Sequence, residues 1–186
     1  MNSTGKLVVM AGPSAVGKGT LASHIVTNFA GYVLSVSATT RSPREAEIDG
    51  VSYIFLTDEQ FKSRAESGQM LEWATVHGKH SYGTPRGPVE EGLARGLNVI
   101  LEIDVQGAFQ VRESFPEALL IFVKPPSFEE LRARLDKRGT ESEEDKQIRL
   151  ETARTELDQA SQFDYSVIND EVARCAQEVV ELVQTT

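Results

Sequence analysis

One stretch near the start constrains the fold more than any other: LVVMA (Leu7 to Ala11) runs directly into GPSAVGKGT (Gly12 to Thr20). The first five residues are a continuous apolar run bounded by Gly5 and Gly12, the pattern of a strand buried on both faces in a parallel sheet. The next nine match a Walker A phosphate loop in the context that gives the match meaning, between a buried strand and a helix expected from about Gly19. Gly12 and Gly17 let the backbone curl so that successive N–H groups point at one oxyanion, and the helix N-terminus adds favourable partial charge. Gly12, Pro13, Ser14, Ala15, Val16, Gly17, Lys18, Gly19 and Thr20 are therefore candidate nucleotide phosphate ligands, with Lys18 on the β and γ phosphates. One departure stands out. Gly19 occupies the position after the lysine where Ser or Thr usually ligates Mg²⁺, so a metal-binding hydroxyl would have to come from Thr20. ILEID, Ile100 to Asp104, supplies an apolar strand ending in acids, and Glu102 or Asp104 could complete the metal side, directly or through water.

The remainder alternates strand and helix patterns. Strands are expected at Tyr32 to Val36, Tyr53 to Leu56, Met70 to Val76, Asn98 to Ile103, Ala118 to Val123 and Tyr165 to Ile168. Thr57 with Gln60 and Ser127 with Glu130 have capping-box spacing for helices near 58–67 and from Phe128 to Gly139. Further helices are expected at Pro88 to Arg95, at Glu141 to Asp158 with few apolar anchors, and at Val172 to Val183. HGKHSYGTPRG, His77 to Gly87, is turn-like. Repeated strand and helix with buried-type strands implies a three-layer α/β domain with a parallel sheet. Residues from about Ser35 to Thr84 have shorter, alternating strands and read as an insert.

The charge, 19 − 28 = −9, excludes partners that need a broad basic face, so neither nucleic acid nor an anionic membrane is expected. A single cysteine, Cys175, excludes an intrachain disulfide and is expected in the core. No apolar run approaches the roughly 18 residues of a membrane span, the start does not read as a secretory signal, and a cytoplasmic protein is the expectation. His24, His77 and His80 have no metal-site spacing.

SVSATTRSPR (Ser35 to Arg44), Tyr53, LEWATVHG (Leu71 to Gly78), SYGT (Ser81 to Thr84), EIDVQG (Glu102 to Gly107) and RGTESEED (Arg138 to Asp145) form an ordered set. Together with the phosphate loop, this set resembles guanylate kinase, a P-loop nucleoside monophosphate kinase, from about Lys6 to Asp170. The resemblance implies phosphoryl transfer from MgATP to GMP or dGMP. It also implies a core (1–34, 85–126 and 159–186), a GMP-binding insert (35–84) and a helical lid (127–158) that close on one another.

In those roles the residues make physical sense. Guanine presents two donors, N1–H and the N2 amino group, and a carboxylate can accept both. Glu72 matches that position, Ser37 the hydroxyl donating to guanine O6, and Thr84 a second hydroxyl near the base, with Asp104 also on the GMP side. Arg41 and Arg44, flanking Ser42 and Pro43, match a clamp on the GMP phosphate, joined by Tyr53 and Tyr82; a planar guanidinium fork binds phosphate oxygens in a bidentate way. Where many relatives carry two adjacent tyrosines, this chain has Ser81 and Tyr82, and the second is taken as the ligand. Arg134, Arg138 and Arg149 match lid positions on the ATP phosphates or the moving phosphoryl group, and Asn169 the stretch near adenine. Catalysis is expected to rest on Lys18, Arg41, Arg134, Arg138 and Arg149. Arg132 and Lys137 are expected to be solvated charges.

These six cations, with Arg44 counted beside Lys18, Arg41 and the three lid arginines, and the acids Glu72, Glu102 and Asp104 give the proposed site +6 − 3 = +3 within a chain of −9. Two other classes compete. A catalytically inactive guanylate-kinase-like interaction module would be expected to lack Lys18 or the lid arginines, and a P-loop GTPase would want an Asn-Lys-x-Asp reader that VIND, Val167 to Asp170, does not supply. Lys18-Gly19-Thr20 also resembles the adenylate kinase form of the loop, which keeps a kinase for another nucleoside monophosphate as the nearest enzymatic alternative. Oligomeric state is not declared by any heptad or apolar edge.

Overall fold

A computed structural model describes residues 4–76, 78–137 and 143–186. Strand β1 (Leu7–Ala11) leads into helix α1 (Lys18–Asn28), followed by β2 (Tyr32–Leu34), β3 (Ala38–Thr39), β4 (Ile54–Phe55) and α2 (Asp58–Glu66). Then come β5 (Met70–Val76), β6 (His80–Pro85), α3 (Arg86–Ala94), β7 (Asn98–Glu102), α4 (Val105–Ser114) and β8 (Leu119–Lys124). The chain ends with α5 (Phe128–Lys137), α6 (Glu143–Asp158), a 3-10 turn (Gln159–Gln162), β9 (Tyr165–Ile168) and α7 (Val172–Thr185).

The apolar runs behave as their composition demands. β1, β7, β8 and β9 join β2 in a five-stranded sheet of order β2-β7-β1-β8-β9, parallel throughout. Because side chains alternate across a strand, β1 sends Val8 and Met10 to one face and Leu7, Val9 and Ala11 to the other. On the first face lie α1 and α7, the latter with Ala176, Val179, Val180 and Val183 at helical spacing. On the second lie α3 and α4, through Val89, Leu93, Val105, Ala108 and Val111. The three layers are as expected, and each fully buried aliphatic contributes about 1.5–3 kcal/mol. Cys175 is in the core.

A second, four-stranded sheet, order β4-β3-β6-β5, is built from residues between β2 and α3. Here the expectation of a turn-like His77 to Gly87 is corrected: His80–Pro85 is strand β6, antiparallel to both β5 and β3. Its backbone is paired on both sides, so polar side chains do not prevent the strand. The turn itself is confined to residues near Gly78, which has φ 62°; His77 lies outside the described residues.

Two further differences matter. No element is expected from the sequence between Asp104 and Ala118, yet α4 fills that interval, started by the Asp104 carboxylate accepting from the Gly107 N–H at 2.7 Å. At α2 the Thr57/Gln60 capping box is complete. At α5 only half of the expected box forms: Glu130 N–H donates to Ser127 Oγ at 3.1 Å, while the Glu130 side chain turns instead to Arg134.

Connectivity creates the crevice. β1 and β7 are neighbours, but α1 follows β1 on one face of the sheet and α4 follows β7 on the other. The chain therefore parts above the carboxyl ends of these two strands, the position where open α/β sheets bind ligands.

Candidate active site

The phosphate loop sits at that parting. Gly12 (φ 143°) and Gly17 (φ 95°) adopt backbone conformations that side chains disfavour, and a Cβ on Gly12 would lie 2.3 Å from the Val123 carbonyl oxygen. Ala15 (φ 63°) is left-handed without being glycine, a local strain typical of ligand-binding loops. Lys18 Nζ donates to the Gly12 and Pro13 carbonyls at 2.7 and 3.1 Å, so the ammonium is folded over the loop's own cradle.

Side chains from distant segments brace this loop. Asn169, at the end of β9 and only 2% exposed, donates from Nδ2 to Val16 O at 2.9 Å. Arg134 on α5 donates to the same carbonyl at 3.1 Å and to Asn169 O at 3.2 Å. The Asn169 amide therefore lies against the loop. Arg149 on α6 donates to Ser14 Oγ at 2.6 Å, so this arginine already reaches the loop. Arg138 lies outside the described residues.

Glu102, the last residue of β7, faces the loop from the neighbouring strand, and Asp104, two residues on, caps α4 beside the second cleft. A Cβ built on Gly19 would stand 3.6 Å from Glu102 Oε2, so position 19 is the one beside the carboxylate. Thr20 is turned a further 100° around the helix and is exposed. One or two carboxylates with phosphate oxygens and water is the donor set Mg²⁺ favours, and Glu102 with Asp104 fits it better than Thr20 does. Among the described residues no group of three or more His, Cys, Asp and Glu side chains could hold a metal by itself.

The second half of the site is a cleft of about 180 Å³ lined by Ser37, Tyr53, Glu72, Tyr82, Glu102 and Asp104 among others. It joins the second sheet to the end of β7. Larger clefts open at the opposite end of the main sheet, below the amino ends of β1, β8 and β9 around Lys6 and Glu117, and carry no motif residue. Glu72 is the buried charge of this region, 8% exposed, with Thr84 Oγ1 donating to its Oε1 at 2.6 Å. Burial pushes its carboxyl up to about 6 against the Thr84 hydrogen bond, and nearby Asp104 pushes the same way as burial. Oε2 faces Gly107, where a Cβ would be 3.1 Å away.

Arg41, Tyr53 and Tyr82 form the far wall. The Arg41 guanidinium stands 5.5 Å from the Tyr53 ring centroid, and the Tyr53 and Tyr82 rings meet edge to face at 6.1 Å. The Arg44 side chain is exposed on the same loop. The structure thus gathers Ser37, Arg41, Tyr53, Glu72, Tyr82, Thr84 and Asp104 in one region, and Lys18, Arg134, Arg149 and Asn169 in the other.

Sequence reasoning missed several contributors. Glu156 on α6 is half-buried, and its carboxyl is raised by burial, opposed by Lys18 and assisted by Asp104, which places it toward the phosphate loop. Its signal was helical spacing: Arg149, Ala153 and Glu156 share one face. Gln110 on α4 accepts from Trp73 N–H at 3.0 Å and donates to Trp73 O at 3.1 Å, holding β5 at the residue after Glu72. Ser114 Oγ donates to Leu71 O at 2.7 Å on the other side of Glu72. Nothing in the local sequence announces these two contacts, because they depend on α4.

Comparison with known proteins agrees. The family described as "Guanylate kinase" matches residues 4–186. Relatives include the guanylate kinases of Leifsonia xyli, 55% identical over 177 residues (95% of this chain and 70% of that one), and Cutibacterium acnes, 51% identical (95% and 89%). The crystal structure of guanylate kinase from Anaplasma phagocytophilum superposes with a TM-score of 0.76 at 32% identity, covering 98% of this chain and 86% of that one. A gluconokinase from Sinorhizobium meliloti, 18% identical with a TM-score of 0.50, shares the fold alone. No helix among the described residues is long and apolar enough to cross a membrane. A phosphate loop facing a carboxylate-floored cleft, relatives matched over nearly the full length and a shared fold lead to one assignment: this chain belongs to the guanylate kinase family.

Proposed function

We propose that the protein transfers the γ-phosphoryl group of ATP to GMP, and to dGMP, giving ADP and GDP or dGDP. The observation that carries the reading is the buried Glu72–Thr84 pair, which presents a carboxylate to the same cleft as Ser37 and the Arg41–Tyr53–Tyr82 wall. Once ionised, Glu72 accepts from guanine N1–H and N2–H; adenine offers a lone pair in place of N1–H and would leave the carboxylate unpaired. A site built on such pairing can discriminate by on the order of 10⁴.

The acceptor phosphate is then held by Arg41, Arg44, Tyr53 and Tyr82, and its oxygen attacks the γ-phosphorus as the bond to the bridging oxygen of ADP breaks. The attacking oxygen of the acceptor phosphate is already ionised at neutral pH, so no general base is needed. Lys18, Arg134, Arg149 and Arg138 meet the charge spread over the equatorial oxygens. Mg²⁺ bound with ATP would be held by Glu102 and Asp104, directly or through water, and supplies charge neutralisation on the phosphates. We read residues 1–34, 85–126 and 159–186 as the core, 35–84 as the GMP-binding insert and 127–158 as the lid, in a cytoplasmic enzyme. Closure of the lid excludes water that would otherwise hydrolyse ATP.

A coupled assay with MgATP and, in turn, GMP, dGMP, AMP, UMP and CMP tests this. GMP and dGMP should be used far better than the others; turnover of AMP at the rate of GMP would overturn the guanine assignment.

A further inference from the structure

The loop that carries Arg41 and Arg44 holds a third charged side chain, Glu47, which no sequence motif singled out. Its carboxylate accepts from Arg41 through both oxygens, Nη2 to Oε1 at 2.8 Å and Nη1 to Oε2 at 3.0 Å. Oε2 also accepts from the backbone N–H of Arg44 at 2.8 Å. One side chain therefore ties the guanidinium of the first arginine to the backbone of the second. The pair is mostly sheltered, with side-chain exposures of 14% and 20%, and the Arg41 and Arg44 donors hold the Glu47 carboxyl below the usual carboxylate range.

The donor inventory of Arg41 decides what this pairing does. A guanidinium has five N–H donors. Nη1 uses one on Ser42 O at 2.8 Å and one on Glu47, and Nη2 uses one on Glu47. Nε–H and the second Nη2–H are left on a single edge, the arrangement that grips two oxygens of one phosphate. That edge is on the guanidinium that stacks near Tyr53 and also interacts with the Tyr82 hydroxyl. Glu47 thus engages the end of the fork and leaves its side to the Tyr82 hydroxyl and to a phosphate.

The backbone is bent to deliver Glu47 to this place. Glu47 N–H closes a turn onto Arg44 O at 3.1 Å, and Ala46 within that turn has φ 112°, a conformation L side chains rarely adopt. Strain of this kind persists only where surrounding contacts over-determine it, and here the contacts are the three hydrogen bonds to the Glu47 carboxylate.

We propose that Glu47 is a positioning residue for the phosphate of the nucleoside monophosphate: it locks Arg41 with its Nε and Nη2 edge turned, together with the Tyr82 hydroxyl, toward the phosphate oxygens, and fixes the Arg44 backbone alongside. The inference rests on the GMP-site reading above. Without Glu47 the Arg41 side chain would sample rotamers that do not present the fork, and the loss would fall on the phosphate, not on the base.

Steady-state kinetics and binding on the full chain test it. Glu47→Ala should raise KM for GMP at least tenfold, with kcat at saturating GMP and KM for ATP within about twofold of the parent. Glu47→Gln, which keeps one acceptor oxygen for Nη2, should fall between. Guanosine, which lacks the phosphate, should bind the parent and Glu47→Ala equally by calorimetry; a merely structural role would weaken it in parallel with GMP and overturn the proposal. An unchanged KM for GMP would also overturn it, and so would a lower one, which would make Glu47 a competitor of the phosphate. If the parent neither binds guanosine nor uses GMP, the site reading itself fails; if it does both and Glu47→Ala matches it, only this inference fails.

Discussion

Replacing Glu72 by Gln should separate what the buried carboxylate does for the reaction from what it costs the fold. The carboxyl is pushed from its ordinary 4.5 up to about 6, chiefly by burial, a difference worth about 2 kcal/mol. The sign follows from proton binding. Between pH 4.5 and about 6 the folded chain binds more protons than the unfolded one, so stability falls as pH rises through that window and the full cost persists above it. A glutamine carries no charge to bury, and its amide oxygen can still accept from Thr84 Oγ1. At pH 7.5, Glu72→Gln should be more stable than the parent by about 2 kcal/mol, or about 4–8 °C in Tm for a chain of this size. Below pH 4.5 that advantage should vanish, because the parent carboxyl is then protonated too. The effect on GMP runs the other way. The variant loses a charge-assisted acceptor and sets an NH₂ against a guanine donor, together about 3–4 kcal/mol, or 10²–10³ in kcat/KM for GMP. Scanning calorimetry at pH 4 and 7.5 with a coupled assay reads both. A variant less stable than the parent at pH 7.5, or one whose kcat/KM for GMP stays within threefold, would refute the argument.

Thr84→Val removes the hydroxyl that opposes the effect of burial, so Glu72 should titrate at a higher pH. The pH at which kcat/KM for GMP is half lost should move upward, and an unmoved midpoint would deny Thr84 that tuning role. Gly107→Ala places a methyl carbon 3.1 Å from Glu72 Oε2; KM for GMP should rise several-fold with KM for ATP unchanged, and equal changes in both would point to a general disturbance of α4. Lys18→Ala removes a donor to charge that develops in the transition state and should lower kcat by about 10²–10³, measured by single-turnover assay; a larger effect on KM for ATP than on kcat would recast Lys18 as a ground-state binder.

Much of the site was legible because its parts are local. The phosphate loop is one strand, one turn and one helix start in unbroken order, and its glycines and lysine are legible from spacing alone. The arginine pair sits on a four-residue stretch, and the Thr57 capping box needs only its own neighbours. Reading failed where a residue's role depends on a partner far away in the chain. His80–Pro85 looks like a turn by composition, yet it is a strand because β3 and β5 flank it. Val105–Ser114 is not among the helices expected from the sequence, yet Asp104 caps it and Gln110 and Ser114 on it hold β5 on either side of Glu72.

The sequence by itself determined the layer architecture and the chemical kinds of group at the site. Apolar runs of strand length have to be covered on both faces, and a glycine-rich loop at a helix start presents N–H groups to anions whatever surrounds it. Only the tertiary structure decided the states of those groups. Glu72 is an unremarkable acid between Leu71 and Trp73 until burial, Thr84 and Asp104 surround it. Gly19 rather than Thr20 stands beside Glu102 because β7 is the parallel neighbour of β1. Glu47 becomes part of the clamp because a strained turn brings its carboxylate to both arginines. Protonation and donor geometry depend on distances of a few ångströms between segments far apart in sequence, and those distances exist only after the chain has packed.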